Sequence, residues 1–301
     1  MRKSILFLTV GALALTMLSV TSCQKKDGAF KPKEKIHKVY YELTYVDSDG
    51  KSTDIVKKRL EQIYRWDKNK LIQIESGGWS MYFTYEGSQV SKIEIGDYAV
   101  INFKYDKADL KTIETMDSKE NRPMSIITIT ERSDRKITKF TEEYYSYPVT
   151  STKKNEATEK LYPIMRMILS DQIAERMCAN MDKENKVHKA TTVVNSYKYE
   201  LTFEGNNVSR AKMIYQDTMN VTMGYTYDSK KNPFYNSIFN GILSGQSENN
   251  VTSYYDVSDH DQVVKYEYTY TGDYPATRTA KTKDKWTDVT SVEVDSYEYM
   301  E

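Results

Sequence analysis

Few residues in this chain stand at spacings that chemistry requires. Three histidines, His37, His188 and His260, lie far apart, and none has a second His or Cys at zinc-ligand spacing. Asp47-Ser48-Asp49-Gly50 and the stretch Asp256, Asp259, Asp261 resemble fragments of a calcium loop. Neither holds the full ligand set, and Asp is an ordinary turn residue. Glu142 and Glu143 are adjacent in an alternating segment, so they point to opposite faces and cannot share the work of acid and base. There is no Gly-x-Ser-x-Gly elbow and no phosphate-binding glycine loop. The sequence therefore assigns no catalytic, metal-binding or cofactor-binding residue. What remains is aromatic. Trp79 and Trp286, with part of the 26 tyrosines, are candidates for a ligand-stacking surface, although cross-strand packing is the commoner use of such rings.

The elements that must position these rings are strands. From Ile36 to Pro148, Tyr, Ile, Val, Thr and Phe alternate with polar residues between turn signals. Trp66-Asp67, Tyr85-Glu86 and Tyr105-Asp106 each place an aromatic and then an acid at a turn entrance, and Leu71, Val90 and Leu110 restart the next strand. One hairpin step per period of about 20 residues means an antiparallel meander. Met81–Ile95 reads as a hairpin around Glu86-Gly87, and Tyr199–Met213 repeats it around Glu204-Gly205. Asp182–Lys186 echoes Asp67–Lys70, Tyr227-Asp228 answers Tyr105-Asp106, and Ser258-Asp259 answers Ser133-Asp134. These matches predict an internal duplication, about 38–148 and 165–275, with a last strand over Val289–Met300. The expected fold class is all-β: an antiparallel meander forming a curled sheet or soluble barrel. Glu156–Leu169 is the one short helical insert, Gln172–Met181 fits helix or strand, and the apolar residues of Asn232–Asn249 are expected to plug one end of the sheet.

The N-terminus carries chemistry of another kind. Arg2 and Lys3 precede an apolar run, Ile5–Val20, too short for a comfortable membrane span, so residues 1–22 read as an export signal. Val20-Thr21-Ser22-Cys23 resembles a lipobox, in which cleavage leaves Cys23 as an N-terminus acylated with chains such as palmitate. Two or three chains anchor stably, at about 0.8 kcal/mol per buried CH₂. Residues 23–35 are polar and Lys-rich, the composition of a flexible tether, and 36–301 then form a single β domain. With Cys23 acylated, Cys178 is left without a disulfide partner. A formal net charge of zero without long charge runs argues against nucleic acid as a partner.

The aromatic-x-Tyr-Asp steps, the Asn232-Pro233-Phe234 that follows Tyr227-Asp228, and the lipobox together resemble an uncharacterised Bacteroidetes lipoprotein domain family. That family is described as having a porin-like fold, and its hairpins are similar to the tyrosine–aspartate repeats of RHS proteins. The resemblance implies an outer-membrane lipoprotein on the periplasmic or cell-surface face, and no reaction, cofactor or catalytic residue. Asp217-Thr218-Met219 resembles a Bacteroidetes O-glycosylation site, with Thr218 as acceptor. Two functions of different class follow. One is a non-catalytic binding or scaffold module, held to the membrane by lipid, with a glycan or protein as ligand. The alternative is an envelope hydrolase whose carboxylates converge from separate strands.

Overall fold

The computed structural model describes residues 26–76, 78–146, 192–215, 219–283 and 289–301. The export signal, Cys23, the helix expected over Glu156–Leu169, Gln172–Met181, Cys178, His188, Thr218 and Trp286 lie outside the described residues.

Alternation produces strands almost where the sequence places them. In the first half they are β1 (Ile36–Val46), β2 (Ser52–Asp67), β3 (Lys70–Ser76), β4 (Trp79–Glu86) and β5 (Gln89–Ile95). Then come β6 (Ala99–Asp106), β7 (Asp109–Asp117), β8 (Arg122–Ser133) and β9 (Lys136–Ser146). The second half supplies β10 (Thr192–Glu204), β11 (Asn207–Tyr215), β12 (Met219–Lys231) and β13 (Asn249–Asp256). It ends with β14 (Asp259–Thr271), β15 (Tyr274–Lys283) and β16 (Thr290–Tyr299). Every sequential neighbour pairs antiparallel and β16 returns to β1, so the meander closes into a sixteen-strand barrel with no free edge.

The aromatic at each turn entrance has a physical role. Tyr85 donates its hydroxyl to the Leu71 carbonyl at 2.9 Å, Tyr105 to that of Val90 at 2.7 Å, and Tyr227 to that of Val208 at 2.6 Å. Trp66 does the same through Nε1 to Ile36, at 2.8 Å. Each ring thus clamps an earlier strand at its start. A bulge beside the turn then shifts register between Thr84 and Tyr85, between Lys104 and Tyr105, and between Thr202 and Phe203. Through this shift the restart residue and the residue three later both face inward, as in Val90 with Ile93, Leu110 with Ile113 and Val208 with Ala211, all nearly sealed from solvent.

The two matched hairpins share this geometry in detail. Met81 pairs Ile95 as Tyr199 pairs Met213, and Ser91 and Ser209 each donate to a carbonyl, of Thr84 and Thr202 respectively, at 3.3 Å. Gly87 and Gly205 take φ of 62° and 55°, which side chains strain to adopt. The match between Ser133-Asp134 and Ser258-Asp259 does not hold in space. The first turn lies at the barrel end that carries Gly87, and the second at the opposite end, because the sequence match ignored strand direction.

One end of the barrel is plugged by two segments. Residues 26–35, expected as a flexible tether, are docked there instead. Asp27 accepts from the Leu110 amide at 2.8 Å and pairs with Arg132 at 2.5 Å, and the Val90 amide donates to the Gly28 carbonyl at 3.1 Å. Phe30 is buried against Trp66 and Phe239, with ring centroids 5.8 and 5.2 Å away. Burial of one such ring contributes about 2 kcal/mol, enough to hold a short polar segment in place. Phe239 and Ile242 come from the second plug, the Asn232–Asn249 insert, which has a short 3₁₀ turn (Ile238–Asn240) and a helical turn, α1 (Ile242–Gly245). Phe239 also meets Phe83 edge-on at 5.2 Å, so this insert seals the end as its apolar residues imply.

Most apolar side chains point inward and most charges outward, with Glu142, Arg278 and Asp295 as inward exceptions. The outer wall carries Lys92–Glu94 at 3.1 Å, Lys104–Glu114 at 2.5 Å, Lys139–Glu131 at 2.7 Å and Lys281–Glu267 at 3.1 Å. Such exposed pairs add little stability each. They occupy the surface where a membrane-spanning barrel has its lipid-facing apolar band. The outer face also exposes Ile55, Leu60, Ile72 and Tyr82 among these charges.

Candidate functional site

Among the described residues, those singled out for chemistry do not gather into a site. Trp79, expected on a ligand-facing surface, opens β4 on the inward face shared with Met81 and Phe83, and packs half-buried against the core. Asp47 accepts turn amides from Asp49 and Lys51 at 3.0 and 2.8 Å, and Asp256 accepts from the Ser258 amide at 2.8 Å. Both carboxylates serve as turn caps. Glu142 and Glu143 do face opposite ways, Glu142 inward and only 2% exposed.

Burial pushes the Glu142 carboxyl up to about 7, opposed by hydrogen bonds from Tyr144 and Tyr199. Tyr199 reaches it at 3.3 Å and stacks on Phe140 with centroids 4.4 Å apart. Beside it, Tyr215 donates to Asn195 Oδ1 at 2.7 Å, and its ring lies 5.0 Å from Tyr197. Between the two plugging segments lies a cavity of about 70 Å³, lined by Asp27, Arg135, Asn236 and Gln246. It has room for a few waters and no more.

The arrangement with chemical capacity is on the wall formed by β14, β15 and β16. Tyr266, Tyr268 and Tyr270 alternate on the inward face of β14. Tyr268 pairs across to Arg278 on β15, and Arg278 pairs onward to Asp295 on β16. The guanidinium donates through Nε to Asp295 Oδ2 at 2.8 Å, and its Nη2 lies 2.5 Å from the same oxygen. It sits over the Tyr266 ring at 5.1 Å. Burial is the largest single influence and works against the Arg278 charge, but Asp295 together with Tyr297, Tyr266 and Tyr268 outweighs it and holds the guanidinium above its ordinary value. Burial likewise raises Tyr268 and Tyr297, so both keep their phenolic protons.

These inward groups keep accessible surface. The Arg278 side chain is 37% exposed and that of Asp295 17%, and Tyr266, Tyr268 and Tyr297 are intermediate. A side chain that points into a closed barrel and keeps accessible surface lines space inside it. Tyr225 and Tyr254 continue the same lining on β12 and β13, with centroids 6.4 Å apart, and Tyr254 lies 6.1 Å from Tyr266. The wall offers ring faces, hydroxyls, one cation and two carboxylates, since Glu293 shares the inward face of β16 with Asp295 and pairs with Ala280.

No protein-family model matches the sequence, and no curated protein does. Among solved structures the chain is similar to a porin-like protein from Bacteroides vulgatus, 10% identical, with a TM-score of 0.45 over 89% of this chain and 99% of that one. A porin-like protein from Bacteroides uniformis is 11% identical, with a TM-score of 0.37 over 88% of this chain and 98% of that one. A TcdB2–TccC3 structure is 12% identical, with a TM-score of 0.34 over 86% of this chain and 14% of that one.

Sequence reasoning missed the Arg278–Asp295 wall, although a signal was present. Tyr274-Pro275 restarts β15 as Val90 restarts β5, and the residue three beyond a restart faces inward. Counting three from Pro275 reaches Arg278, a charge where the other hairpins place Ile74, Ile93 or Ile113.

Proposed function

We propose that this chain is a lipid-anchored protein of the cell envelope that binds a ligand in the tyrosine-lined part of its barrel without transforming it. One observation carries the binding role. The inward wall of β14–β16 carries Tyr266, Tyr268, Arg278, Asp295 and Tyr297 and keeps accessible surface, whereas the middle of the inward face of β3–β7 is apolar and sealed. Pockets that recognise small molecules combine ring faces with a few convergent polar groups in this way. The charged outer wall supports a barrel standing in water, attached by lipid at Cys23, on the periplasmic or cell-surface face of the outer membrane.

Two experiments test this reading. Cys23→Ala should release the protein from the membrane fraction, and a variant that stays there through a lipid chain overturns the anchor. For binding, a small-molecule library is screened by thermal shift, and hits are mapped by hydroxyl-radical footprinting. Protection is expected at Tyr225, Tyr266 and Tyr297, with Tyr82 and Tyr98 on the outside unchanged. Protection confined to the outer wall, or no hit at all, defeats the lumen-binding role.

A hydrolase reading rests on Glu142, whose carboxyl near 7 suits general acid work at neutral pH. It needs a second carboxylate, and the inward Asp295 stands seven strands away in the closed order and is tied to Arg278. Turnover of any glycoside or ester that Glu142→Gln abolishes would favour this reading over the first.

A further inference from the structure

The β14–β16 wall is a copy, in backbone register, of the β4–β6 wall. Met81, Phe83 and Tyr85 of β4 stand where β14 places Tyr266, Tyr268 and Tyr270. Val90, Ile93 and Ile95 of β5 stand where β15 places Pro275, Arg278 and Ala280. Ile93 pairs with Ile101 as Arg278 pairs with Asp295, and Phe103 and Tyr105 correspond to Tyr297 and Tyr299. The bulge falls between Thr84 and Tyr85 in one and between Thr269 and Tyr270 in the other. Tyr105 donates to the Val90 carbonyl at 2.7 Å, and Tyr299 to that of Pro275 at 2.8 Å.

Folding this wall therefore does not require the ion pair. An aliphatic pair holds the same register elsewhere in the molecule, and an inward ion pair is often no more stabilising than its hydrophobic replacement. The pair is spent on something other than stability. Its chemistry narrows what that is. Asp295 already neutralises Arg278, so a ligand anion gains little from the guanidinium and is repelled by the carboxylate. An apolar ligand would strip water from both charges and return no hydrogen bond. A cation would meet Glu293 and Asp295 only beside the Arg278 guanidinium, which repels it. A neutral ring bearing many hydroxyls meets these groups best: Asp295 and Glu293 accept from hydroxyls, the guanidinium and the Tyr297 hydroxyl donate, and C–H faces stack on Tyr266, Tyr268 and Tyr297, the Tyr268 hydroxyl being held by the Val251 carbonyl at 2.9 Å.

We infer that Arg278, Asp295, Tyr266, Tyr268 and Tyr297 form a subsite for one ring of a neutral saccharide. This rests on the lumen-binding role proposed above and names its ligand class.

The test is calorimetric titration of the mature protein with cellohexaose, maltohexaose, xylohexaose, mannohexaose and hexagalacturonate. The variant R278I/D295I installs the aliphatic pair of Ile93 and Ile101. Asp295→Asn keeps the side-chain shape but removes the charge, and decides the matter if the double variant misfolds. At least one neutral hexasaccharide should bind, and both variants should weaken it by about tenfold to a hundredfold, the loss expected for hydrogen bonds to charged groups. A hexasaccharide that binds wild type and variants equally overturns the subsite while leaving the lumen as a binding site. Binding of hexagalacturonate alone overturns the neutral class. If no probe binds wild type at millimolar concentration, the saccharide inference falls, and the library footprint then decides separately whether the lumen binds anything.

Discussion

The β4–β6 and β14–β16 walls share strand pairing, bulge, turn glycine and the tyrosine clamp, and differ in almost every inward side chain. Gly87 and Gly272 even take the same backbone twist, with φ of 62° and 63°. Yet Met81, Phe83, Ile93, Ile101 and Phe103 are 1–7% exposed, while their counterparts Tyr266, Tyr268, Arg278, Asp295 and Tyr297 all keep accessible surface. Register in this barrel is set by turns, bulges and clamps near the ends. The middle of each inward face is consequently at liberty to be core or lining.

The comparison can be broken most decisively at Ile93. Ile93→Arg moves the lining residue into the sealed wall, without a carboxylate on Ile101 to meet it. It should cost about 4 kcal/mol or more, read as loss of a cooperative urea transition. A mild effect would mean that the aliphatic wall is as open as the tyrosine wall. Next in size is Glu142, buried on β9 between the two environments. Its carboxyl titrates near 4.5 when unfolded and about 7 when folded, with burial the main cause. The folded state holds the proton more tightly, so this group's contribution is intact below about pH 4.5 and is lost as pH rises towards 7 and beyond. Glu142→Gln should match wild type at pH 4 and exceed it by about 3 kcal/mol at pH 8 in denaturant titrations. Equal stability at both pH values would remove the desolvated carboxyl.

Smaller effects sharpen the contrast. Asp295→Ala leaves Arg278 inward without its partner, and should cost about 2 kcal/mol because the lumen still solvates the guanidinium. A cost as large as that of Ile93→Arg would show a dry lumen. Smallest is the shared clamp. Tyr105→Phe and Tyr299→Phe should each lose about 1 kcal/mol, and by the same amount, since both remove one hydroxyl-to-carbonyl bond. Unequal losses by thermal unfolding would mean that the two walls are not held by the same device.

Strands and turns were legible because alternation and the aromatic–acid steps are local signals. The restart residues Leu71, Val90 and Leu110 are each the second residue of their strand, β3, β5 and β7. Closure was not legible, since pairing of Val39 with Tyr297 joins distant parts of the chain and no local spacing encodes it. The docking of residues 26–35 was hidden for a related reason. Their composition is that of a linker, and only Phe30 marks them, its partners Trp66 and Phe239 lying far along the sequence. In the candidate site, the tyrosine alternation at 266, 268 and 270 could be read, but Arg278 and Asp295 meet only through a bulge-corrected register across two pairings.

On the proposed lipid anchor at Cys23, the docked N-terminal segment would act as a mount. With Cys23 carrying lipid, only Gln24 and Lys25 separate it from Lys26, where the docked segment begins. Three peptide steps reach about 10 Å at full stretch. The barrel then has little freedom to swing on a leash, and its sealed base is held close to the headgroups. On that anchor its other rim would aim away from the bilayer. Gly28 sets that aim. Its φ is 69°, and a Cβ there would lie 2.2 Å from the Tyr105 hydroxyl, so the fit that closes the base also fixes the direction in which the lumen looks.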